Sequence, residues 1–132
     1  MVLYLFIMKR NNPLLTKSFD FGVMASKVAM QIRKEHKEFD LSRQLLRAST
    51  SIGANVEEAM GGQSSRDFYH KLTIAYKEAR ESHYFIRILF ALKLVDQPTK
   101  DELISKVEEL LRIIGSIQTT MRKKQGIQFK KS

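Results

Sequence analysis

The residues best suited to chemistry are a row of polar side chains on one predicted helix and two glutamates on another. The row recurs at steps of three and four residues and contains Gln44, Arg47, Ser51, Asn55 and Glu58. A helix face that meets water usually carries Lys and Glu, so this composition indicates partners on a neighbouring helix. Glu78 and Glu81 share a face because they are three residues apart, and either one is a suitable partner for Arg47.

We interpret this set as an interhelical network in which Arg47 forks onto Glu78 or Glu81 and fixes the register of two helices. Asn55 and Glu58 then close hydrogen bonds nearby. The alternative is a pocket for a ligand or RNA that uses Arg47 and Asn55. Loss of Arg47 would lower stability in the first case and binding in the second.

A metal site of the two-iron kind found in four-helix proteins needs Glu-x-x-His on each of two helices. His36 and His83 both have an arginine at that offset, and only the pair Asp67 and His70 has an acid there. Asp67 is better explained as a helix cap and His70 as a partly exposed helix residue. We therefore expect no metal and no cofactor.

Catalysis has no better support in the sequence. Residues 49–51 supply hydroxyls but lie outside any Gly-x-Ser-x-Gly turn, and Gly61-Gly62 lacks the Lys-Ser/Thr pair of a phosphate loop. The chain has no cysteine, which removes thiol chemistry and disulfides. Adjacent carboxylates on a helix diverge by about 100 degrees and do not converge on a substrate. We expect no enzymatic activity and no small-molecule substrate.

Four predicted helices position these residues. The first covers residues 19–36, with Ser18 as its N-cap. Its inward face contains Phe21, Met24 or Ala25, Val28 and Ile32. The second begins with Asp40 or Ser42 as cap and ends at Gly61-Gly62, where glycine tolerates a left-handed closing conformation. Its inward face contains Leu45, Ala48 or Ser49, Ile52, Val56 and Ala59.

The third helix opens at Ser64, with Asp67 in place of the glutamate of a capping box. Its apolar spine contains Phe68, Leu72, Ala75, Ala79, Ile86 and Leu89, with Ser82 in the same line. The fourth opens with a capping box of Thr99 and Glu102. Its apolar line contains Leu103, Val107, Leu110, Ile114, Ile117 and Met121. Short connections make neighbours antiparallel, so we predict an all-α fold, an antiparallel up-down-up-down four-helix bundle.

Two features predict how the helices pack. Gly53, in the middle of the second helix, costs about 1 kcal/mol relative to alanine, so we expect another helix to approach closely there. The third and fourth helices carry more apolar side chains than one stripe needs, Ile74, Phe85 and Leu111 among them. Because exposing them would leave a large apolar patch, we expect a homo-oligomer.

The charge of the chain suggests a polyanionic partner. The formal net charge is +9, and residues 121–132 hold five lysines and arginines with no acid. Such a tail favours nucleic acid, or else it only improves solubility. The candidate nucleic-acid contacts are Lys27, Arg33, Lys34 and Lys37 near the end of the first helix, and Arg122, Lys123, Lys124, Lys130 and Lys131 towards the C-terminus.

Several segments of the chain resemble the 23S rRNA intervening-sequence proteins, a family of four-helix bundles. They are residues 47–59 (RASTSIGANVEEA), 63–68 (QSSRDF), 71–75 (KLTIA) and 77–84 (KEARESHY). The similarity spans roughly residues 17–124. Positions that match the family motif are Gln44, Arg47, Ser51, Asn55, Glu58, Asp67, Phe68, Glu78, Glu81 and Tyr84. The chain departs from the family at Phe85, where many relatives carry Trp, but an aromatic side chain is retained.

The resemblance implies partners as well as a fold. Members of the family form ring-like pentamers, which implies that this chain assembles with copies of itself, as a pentamer. Relatives are encoded within inserts in ribosomal RNA genes, and related bundles are accessory proteins of retroelement reverse transcriptases. These contexts point to RNA without defining an activity.

The ends of the chain are expected to lie outside the bundle. We interpret residues 1–16 as a flexible N-terminal segment, 17–124 as the bundle and 125–132 as a basic tail. The apolar run of residues 1–8 is too short to span a bilayer, and its positive charges follow it, unlike those of a signal peptide. We expect translation to begin at Met8, with residues 1–7 a gene-model extension. We also expect a cytoplasmic location without membrane contact.

These features favour a non-catalytic, oligomeric helical-bundle protein that binds nucleic acid through its basic surface and tail. RNA, including rRNA-related RNA, is the expected ligand, with DNA as a further possibility. The alternative is an oligomeric scaffold or accessory adaptor, for example to a reverse transcriptase, without direct recognition of nucleic acid. Surplus apolar surface and the lack of catalytic motifs support this alternative.

Overall fold

In a computed structural model of the protein, which describes residues 12–124, four helices are joined by short turns. The helices are α1 (Pro13–His36), α2 (Asp40–Met60), α3 (Ser65–Ala91) and α4 (Gln97–Lys124). Within this range there is no β-strand, which confirms the predicted all-α fold, and no helix is long and apolar enough to cross a membrane. Of the segment 1–16 that was interpreted as flexible, residues 13–16 belong to α1, so the bundle begins before residue 17. Residues 1–11 and the basic tail 125–132 lie outside the described part of the chain.

Side-chain pairs show that neighbouring helices are antiparallel. Along α2 and α3, Arg47 meets Glu81 while Glu58 meets Lys71, so one helix advances as the other returns. The same opposed order holds between α3 and α4 and between α1 and α2, at the pairs His83–Glu108, Thr73–Gln118, Asn12–Met60 and Gly22–Ser49. Because α1 also contacts α4, the helices close into an up-down-up-down bundle.

Helix α1 begins six residues earlier than predicted, at Pro13 rather than residue 19. Proline fits the first turn of a helix because the N–H it lacks would have no partner there. The side-chain oxygen of Asn12 accepts a hydrogen bond from the Leu15 N–H at 2.9 Å and caps the helix. Ser18, the predicted cap, is buried inside α1, and its hydroxyl donates to the Leu15 carbonyl oxygen at 3.2 Å.

Helices α2 and α4 are capped by acids that precede the predicted cap residues. The Glu38 carboxylate accepts hydrogen bonds from the backbone N–H groups of Leu41 and Ser42 at 2.7 and 3.1 Å. The Asp96 carboxylate accepts from the Thr99 N–H at 2.8 Å. Hydrogen bonds from Thr99 also hold the pKa of Asp96 below its ordinary value of 3.8. Helix α4 therefore begins at Gln97, two residues before the predicted cap Thr99, and α2 begins at Asp40, the earlier of its two predicted caps.

The other helix ends agree with the sequence in part. Helix α3 is capped as predicted, since the Ser64 hydroxyl oxygen accepts from the Asp67 N–H at 3.1 Å. Gly61 at the end of α2 has a φ of −92°, so the predicted left-handed closing conformation is wrong. The left-handed residues are Lys37, after α1, and Lys93, after α3, with φ of 54° and 62°.

The core contains the residues predicted on α2 and α3, including Ala48 and Ser49 together. On α1, however, Ala25 and Ala29 are buried, whereas Met24 and Val28 are only half-buried. Val28 and Met24 pack against the edge of the core, and the centre of this face belongs to the two alanines. Small side chains occupy the centre of this face because α1 lies close to α2.

Helix α4 differs from the prediction at one core position. Gln118 is only 8% exposed, whereas Ile117, which was predicted to face inward, is half-buried. The Gln118 amide nitrogen donates to the Tyr69 carbonyl oxygen at 3.2 Å and to the Thr73 hydroxyl at 2.8 Å, both on α3. These bonds let a polar side chain occupy the core.

Helices α1 and α2 approach each other closely at two glycines. A Cβ atom on Gly53 would lie 3.5 Å from the Ser18 carbonyl oxygen, and one on Gly22 would lie 3.6 Å from the Ser49 carbonyl oxygen. Gly53 therefore marks a close approach of another helix, as its position in mid-helix indicates. Both distances are ordinary van der Waals contacts, so the approach still leaves room for a methyl group.

The largest set of exposed apolar side chains lies on α1, not on α3 and α4 as predicted. Phe19, Val23 and Met30 are 68%, 38% and 59% exposed, and they line a groove of about 460 Å³ between α1 and α2. By contrast, Phe85 and Leu111 are half-buried against the core. Each helix of the bundle packs on two neighbouring helices. The broad apolar face of α3 is therefore covered by α2 and α4, and that of α4 by α3 and α1.

Candidate nucleic-acid interface

The cations predicted as nucleic-acid contacts on α1 differ in their surroundings. The Arg33 guanidinium lies 5.2 Å from the centroid of the Phe39 ring and donates to the Phe39 carbonyl oxygen at 3.4 Å. Lys37 ends the helix, and its N–H donates to the Arg33 carbonyl oxygen. Lys34 is exposed in the last turn, whereas Lys27 lies two turns earlier and lines the α1–α2 groove.

The described cations near the C-terminus form the last turn of α4, where positive charge interacts favourably with the helix dipole. The Arg122 guanidinium lies 5.9 Å from the centroid of the Tyr69 ring and donates hydrogen bonds to the Tyr69 and Thr119 hydroxyls. Lys123 and Lys124 are exposed. Arg122 is therefore held by the bundle, and the two lysines are available to a partner.

These two groups of cations lie at opposite ends of the bundle. Lys17 on α1 pairs with Glu109 on α4, and the helices run in opposite directions, so their C-terminal ends point away from each other. At about 1.5 Å per residue, the ends of α1 are roughly 36 Å apart. The seven predicted contacts within residues 12–124 therefore do not form one surface, and Lys130 and Lys131 lie outside the described residues.

A third cationic surface, which the sequence interpretation missed, follows the outer side of α3. Its exposed side chains recur at steps of three, four and seven residues; we call them the α3 face, and they are Arg66, His70, Lys77, Arg80, Tyr84 and Arg87. Glu81 is also exposed on this side of α3, but Arg47 engages it. The spacing of these cations along one helix could have identified this surface from the sequence alone. The prediction named the cations of α1 and of the basic tail instead.

The lysine and arginines of the α3 face are not neutralised within the described residues. Among residues 12–124, no carboxylate lies within ion-pair distance of Arg66, Lys77, Arg80 or Arg87. Cations that do have acidic partners are Lys17, Arg43, Arg47, Lys71 and Lys100. The α3 face therefore presents four cations that are available for phosphate groups along one side of a helix.

The polar row of α2 meets α3 through Arg47. One guanidinium nitrogen lies 3.2 Å from a carboxylate oxygen of Glu78, and the other lies 3.3 Å from one of Glu81. Arg47 thus bridges both glutamates, with one nitrogen for each, rather than gripping a single carboxylate with two parallel bonds. Its side chain is 49% exposed and that of Glu78 only 16%, so the cluster lies at the edge of the core.

The rest of the row does not join this cluster. The Asn55 amide nitrogen donates to the Ser51 carbonyl oxygen of its own helix at 2.8 Å. Glu58 pairs with Lys71 at 3.0 Å, near the start of α3. Gln44 is exposed one turn before Arg47. The predicted pairing of Arg47 with Glu78 and Glu81 is therefore present, whereas Asn55 and Glu58 do not join it. The row extends over more than three turns, and α3 supplies separate partners along its length.

Burial dominates the electrostatics of the Arg47 cluster. Loss of water around the Glu78 carboxylate raises its pKa above the ordinary value of 4.5, and the nearby charge of Glu81 raises it further. The charge of Arg47 opposes both effects but does not outweigh them. One guanidinium thus holds two carboxylates together. Because Arg47 already has two negatively charged partners, the cluster suits a structural role better than the binding of a further anion.

The two histidines of α3 are His70 and His83. His83 lies 3.3 Å from Glu108 across the α3–α4 boundary. Within residues 12–124, no group of three or more histidine and acidic side chains is arranged to hold a metal ion. Asp67 belongs to the first turn of α3, and His70 is exposed one turn later.

The fold and these clusters define a basic four-helix-bundle protein that presents free cations on the outer side of one helix. A family model described as 23S rRNA-intervening sequence protein matches residues 10–116. The chain therefore belongs to the 23S rRNA-intervening sequence protein family, which confirms the resemblance seen in its motifs.

One solved structure shows the same fold. The chain is similar to a protein with unknown function from the S23 ribosomal protein family of Bacteroides thetaiotaomicron, whose crystal structure was determined at 1.70 Å resolution. The two are 35% identical with a TM-score of 0.78, and the match covers 80% of this chain and 97% of that one. No curated protein matches the chain.

Proposed function

We propose that the protein is a non-catalytic nucleic-acid-binding protein of the cytoplasm that contacts phosphates through the α3 face. The observation that carries this proposal is the set of unpaired cations on that face, Arg66, Lys77, Arg80 and Arg87. The set spans about 32 Å at the usual helical rise, a length that suits an extended polyanion better than a single small anion. No cofactor is needed for such binding.

Charge-led binding fits the rest of the chain. Net charge of +9 favours encounter with a polyanion at any orientation, and the free cations of α3 then supply direct phosphate contacts. The family description names 23S rRNA, which supports RNA over DNA as the ligand. Lys123 and Lys124 are exposed and form a second surface that the same nucleic-acid backbone could reach.

Replacing Lys77, Arg80 and Arg87 together by glutamine should weaken binding of a structured rRNA fragment about tenfold or more at ~50 mM salt, because three phosphate contacts are lost. The slope of log affinity against log salt should also decrease by about 2 to 3. Fluorescence anisotropy titrations at ~50 and ~200 mM salt measure both quantities.

The matched control replaces Arg43, Lys93 and Arg112 by glutamine, which removes the same charge from exposed positions outside the α3 face and outside the predicted contacts. Its affinity should stay within about threefold of the original, as expected for loss of long-range attraction alone. Equal losses in both variants would show that overall charge, not the α3 face, drives binding. A chain that ends at Lys124 tests the last eight residues while keeping the Arg122–Tyr69 contact.

A second function, an oligomeric protein scaffold or adaptor, is favoured by the α1–α2 groove. Phe19 and Met30 are more than half exposed there, and apolar side chains that line a groove together mark a protein contact surface. We infer that copies of the chain meet at this groove, in the homo-oligomer, a pentamer, that the sequence resemblance implies.

Replacing Phe19 and Met30 by glutamine should reduce the mass in solution to that of one chain while the helix content is retained. Light scattering coupled to size exclusion measures the mass, and circular dichroism measures the helix content. Leu92→Gln is the control, because Leu92 is 56% exposed but lies outside the groove. An unchanged assembly would remove the groove from the interface, and a single-chain mass of the original protein would refute self-assembly.

A further inference from the structure

We propose that Tyr84 is a stacking platform for an unpaired nucleobase, so that the α3 face selects single-stranded nucleic acid. This inference rests on the proposed function, because it names the class of ligand that the same surface takes. The shared chemistry of the ligand is a planar base between two phosphates, which single-stranded RNA and single-stranded DNA both supply.

Tyr84 is presented to solvent but held in place. The residue is 52% exposed, so a planar group can reach its ring. Its ring meets the Phe85 ring edge to face, with centroids 5.7 Å apart, and Phe85 is packed against the core. The Arg87 guanidinium lies 5.6 Å from the Tyr84 centroid. A large aromatic side chain kept at the surface by such contacts has little rotational freedom to lose on binding.

Cations flank the ring along the helix. Arg80 precedes Tyr84 by four residues and Arg87 follows it by three, which places them about 6 and 4.5 Å away along the helix axis. Neither arginine has an acidic partner among residues 12–124. Because the Arg87 guanidinium lies over one face of the Tyr84 ring, a base would stack on the other face, with the Arg80 guanidinium available for the adjacent phosphate. An aromatic ring beside a free cation is the combination found where proteins bind single strands.

The ring opens onto a hollow of about 710 Å³ between α3 and α4, which is within the size range of ligand sites. His83, Arg80 and Leu111 also line it. Two acids are present in the hollow, Glu81 and Glu108, but Arg47 engages the first and His83 contacts the second. In a duplex, bases are stacked on one another, so this hollow favours a strand whose bases are free.

Tyr84→Trp turns this position into a direct reporter, because the chain contains no tryptophan. Titrating the variant with a twelve-nucleotide oligo-dT or oligo-U should quench its tryptophan fluorescence as the base stacks on the indole. A duplex of the same length should bind through its phosphates and leave the fluorescence unchanged. The two oligonucleotides distinguish DNA from RNA as the source of the strand. Quenching by neither strand, with binding seen by anisotropy, would overturn the inference.

Affinity for the single strand gives an independent measurement. Tyr84→Leu should weaken binding about five- to hundredfold, the range found for loss of one stacked base, whereas Tyr84→Phe should bind as the original does. Melting temperatures near that of the original are expected for both variants, because Tyr84 is half exposed.

The failures of the two proposals are distinguishable. If Tyr84→Leu binds as well as the original while loss of Lys77, Arg80 and Arg87 weakens binding, the stacking role is wrong and the phosphate-binding role stands. If Tyr84→Leu instead lowers the mass in solution at unchanged affinity, Tyr84 belongs to a contact between copies of the chain. If the original protein binds no nucleic acid at ~50 mM salt, both proposals are wrong.

Discussion

Gln118→Glu should lower the free energy of unfolding by about 3 kcal/mol at pH 7, the largest single-residue effect that we expect from a polar position. Gln118 is only 8% exposed, and its amide nitrogen donates to the Tyr69 carbonyl oxygen and the Thr73 hydroxyl. The Thr73 hydroxyl itself donates to the Tyr69 carbonyl oxygen at 3.1 Å. A carboxylate would therefore lose the bond to the Tyr69 carbonyl oxygen while carrying a buried charge, and the Thr73 hydroxyl could donate to it only by giving up its own bond to Tyr69.

Urea denaturation at several pH values tests this expectation and its cause. The introduced carboxylate has a folded-state pKa above its unfolded value of about 4.3, so its contribution to stability is present below that value and lost as pH rises. The deficit should consequently shrink as the pH falls towards 4. Gln118→Met, which keeps the volume without charge, should cost only about 1 kcal/mol at every pH. A deficit independent of pH would show that shape, not charge, causes the loss.

Arg47→Ala should lower the free energy of unfolding by about 1 to 2 kcal/mol at pH 7. The value lies between those of exposed and buried ion pairs, because Arg47 is 49% exposed while the Glu78 side chain is only 16% exposed. Removing the guanidinium leaves the carboxylates of Glu78 and Glu81 together without their shared cation. An unchanged stability would favour the alternative interpretation, in which Arg47 serves a ligand.

The pH dependence of Arg47→Ala has a definite sign. Burial raises the pKa of Glu78 above its ordinary value, so protonated Glu78 contributes stability at low pH that is lost as pH rises through its folded-state pKa. Without Arg47, the effect that lowers this pKa disappears, and the loss with rising pH becomes larger. The variant should thus approach the original near pH 4 and differ most at pH 7. Arg47→Ala combined with Glu78→Gln should recover part of the lost stability, which denaturation of both variants measures.

The sequence predicts the helices and most of the core because large apolar residues there recur at helical spacing. Leu72 on α3 and Val107 on α4, for example, have only polar or charged residues on either side in the sequence, so no neighbour competes for the inward position. Ile117 and Gln118 show where this reasoning ends. Position 118 lies four residues after Ile114 and three before Met121, so spacing permits either residue to face inward. The choice is made by Tyr69 and Thr73 across the interface.

The candidate site was predictable only in part for the same reason. Charge and spacing predict the ion pairs of Arg47 with Glu78 and Glu81, because one guanidinium can bind two carboxylates that lie on the same helix face. They do not identify Lys71 as the partner of Glu58, because that pairing depends on the register between α2 and α3. Likewise, the predicted cations of α1 and α4 lie at opposite ends of the bundle because these two helices run in opposite directions. The direction of one helix relative to another cannot be predicted from the sequence of either helix alone.

The order of the helices has a consequence for how quickly the chain folds. Within residues 12–124, each helix packs mainly on the helix before or after it along the chain, and the one major contact between distant segments joins α1 and α4. Contacts of this local kind close short loops, which favours folding on the microsecond-to-millisecond scale of helical bundles. The α1–α4 contact, which includes Lys17 and Glu109, is then the late step of assembly.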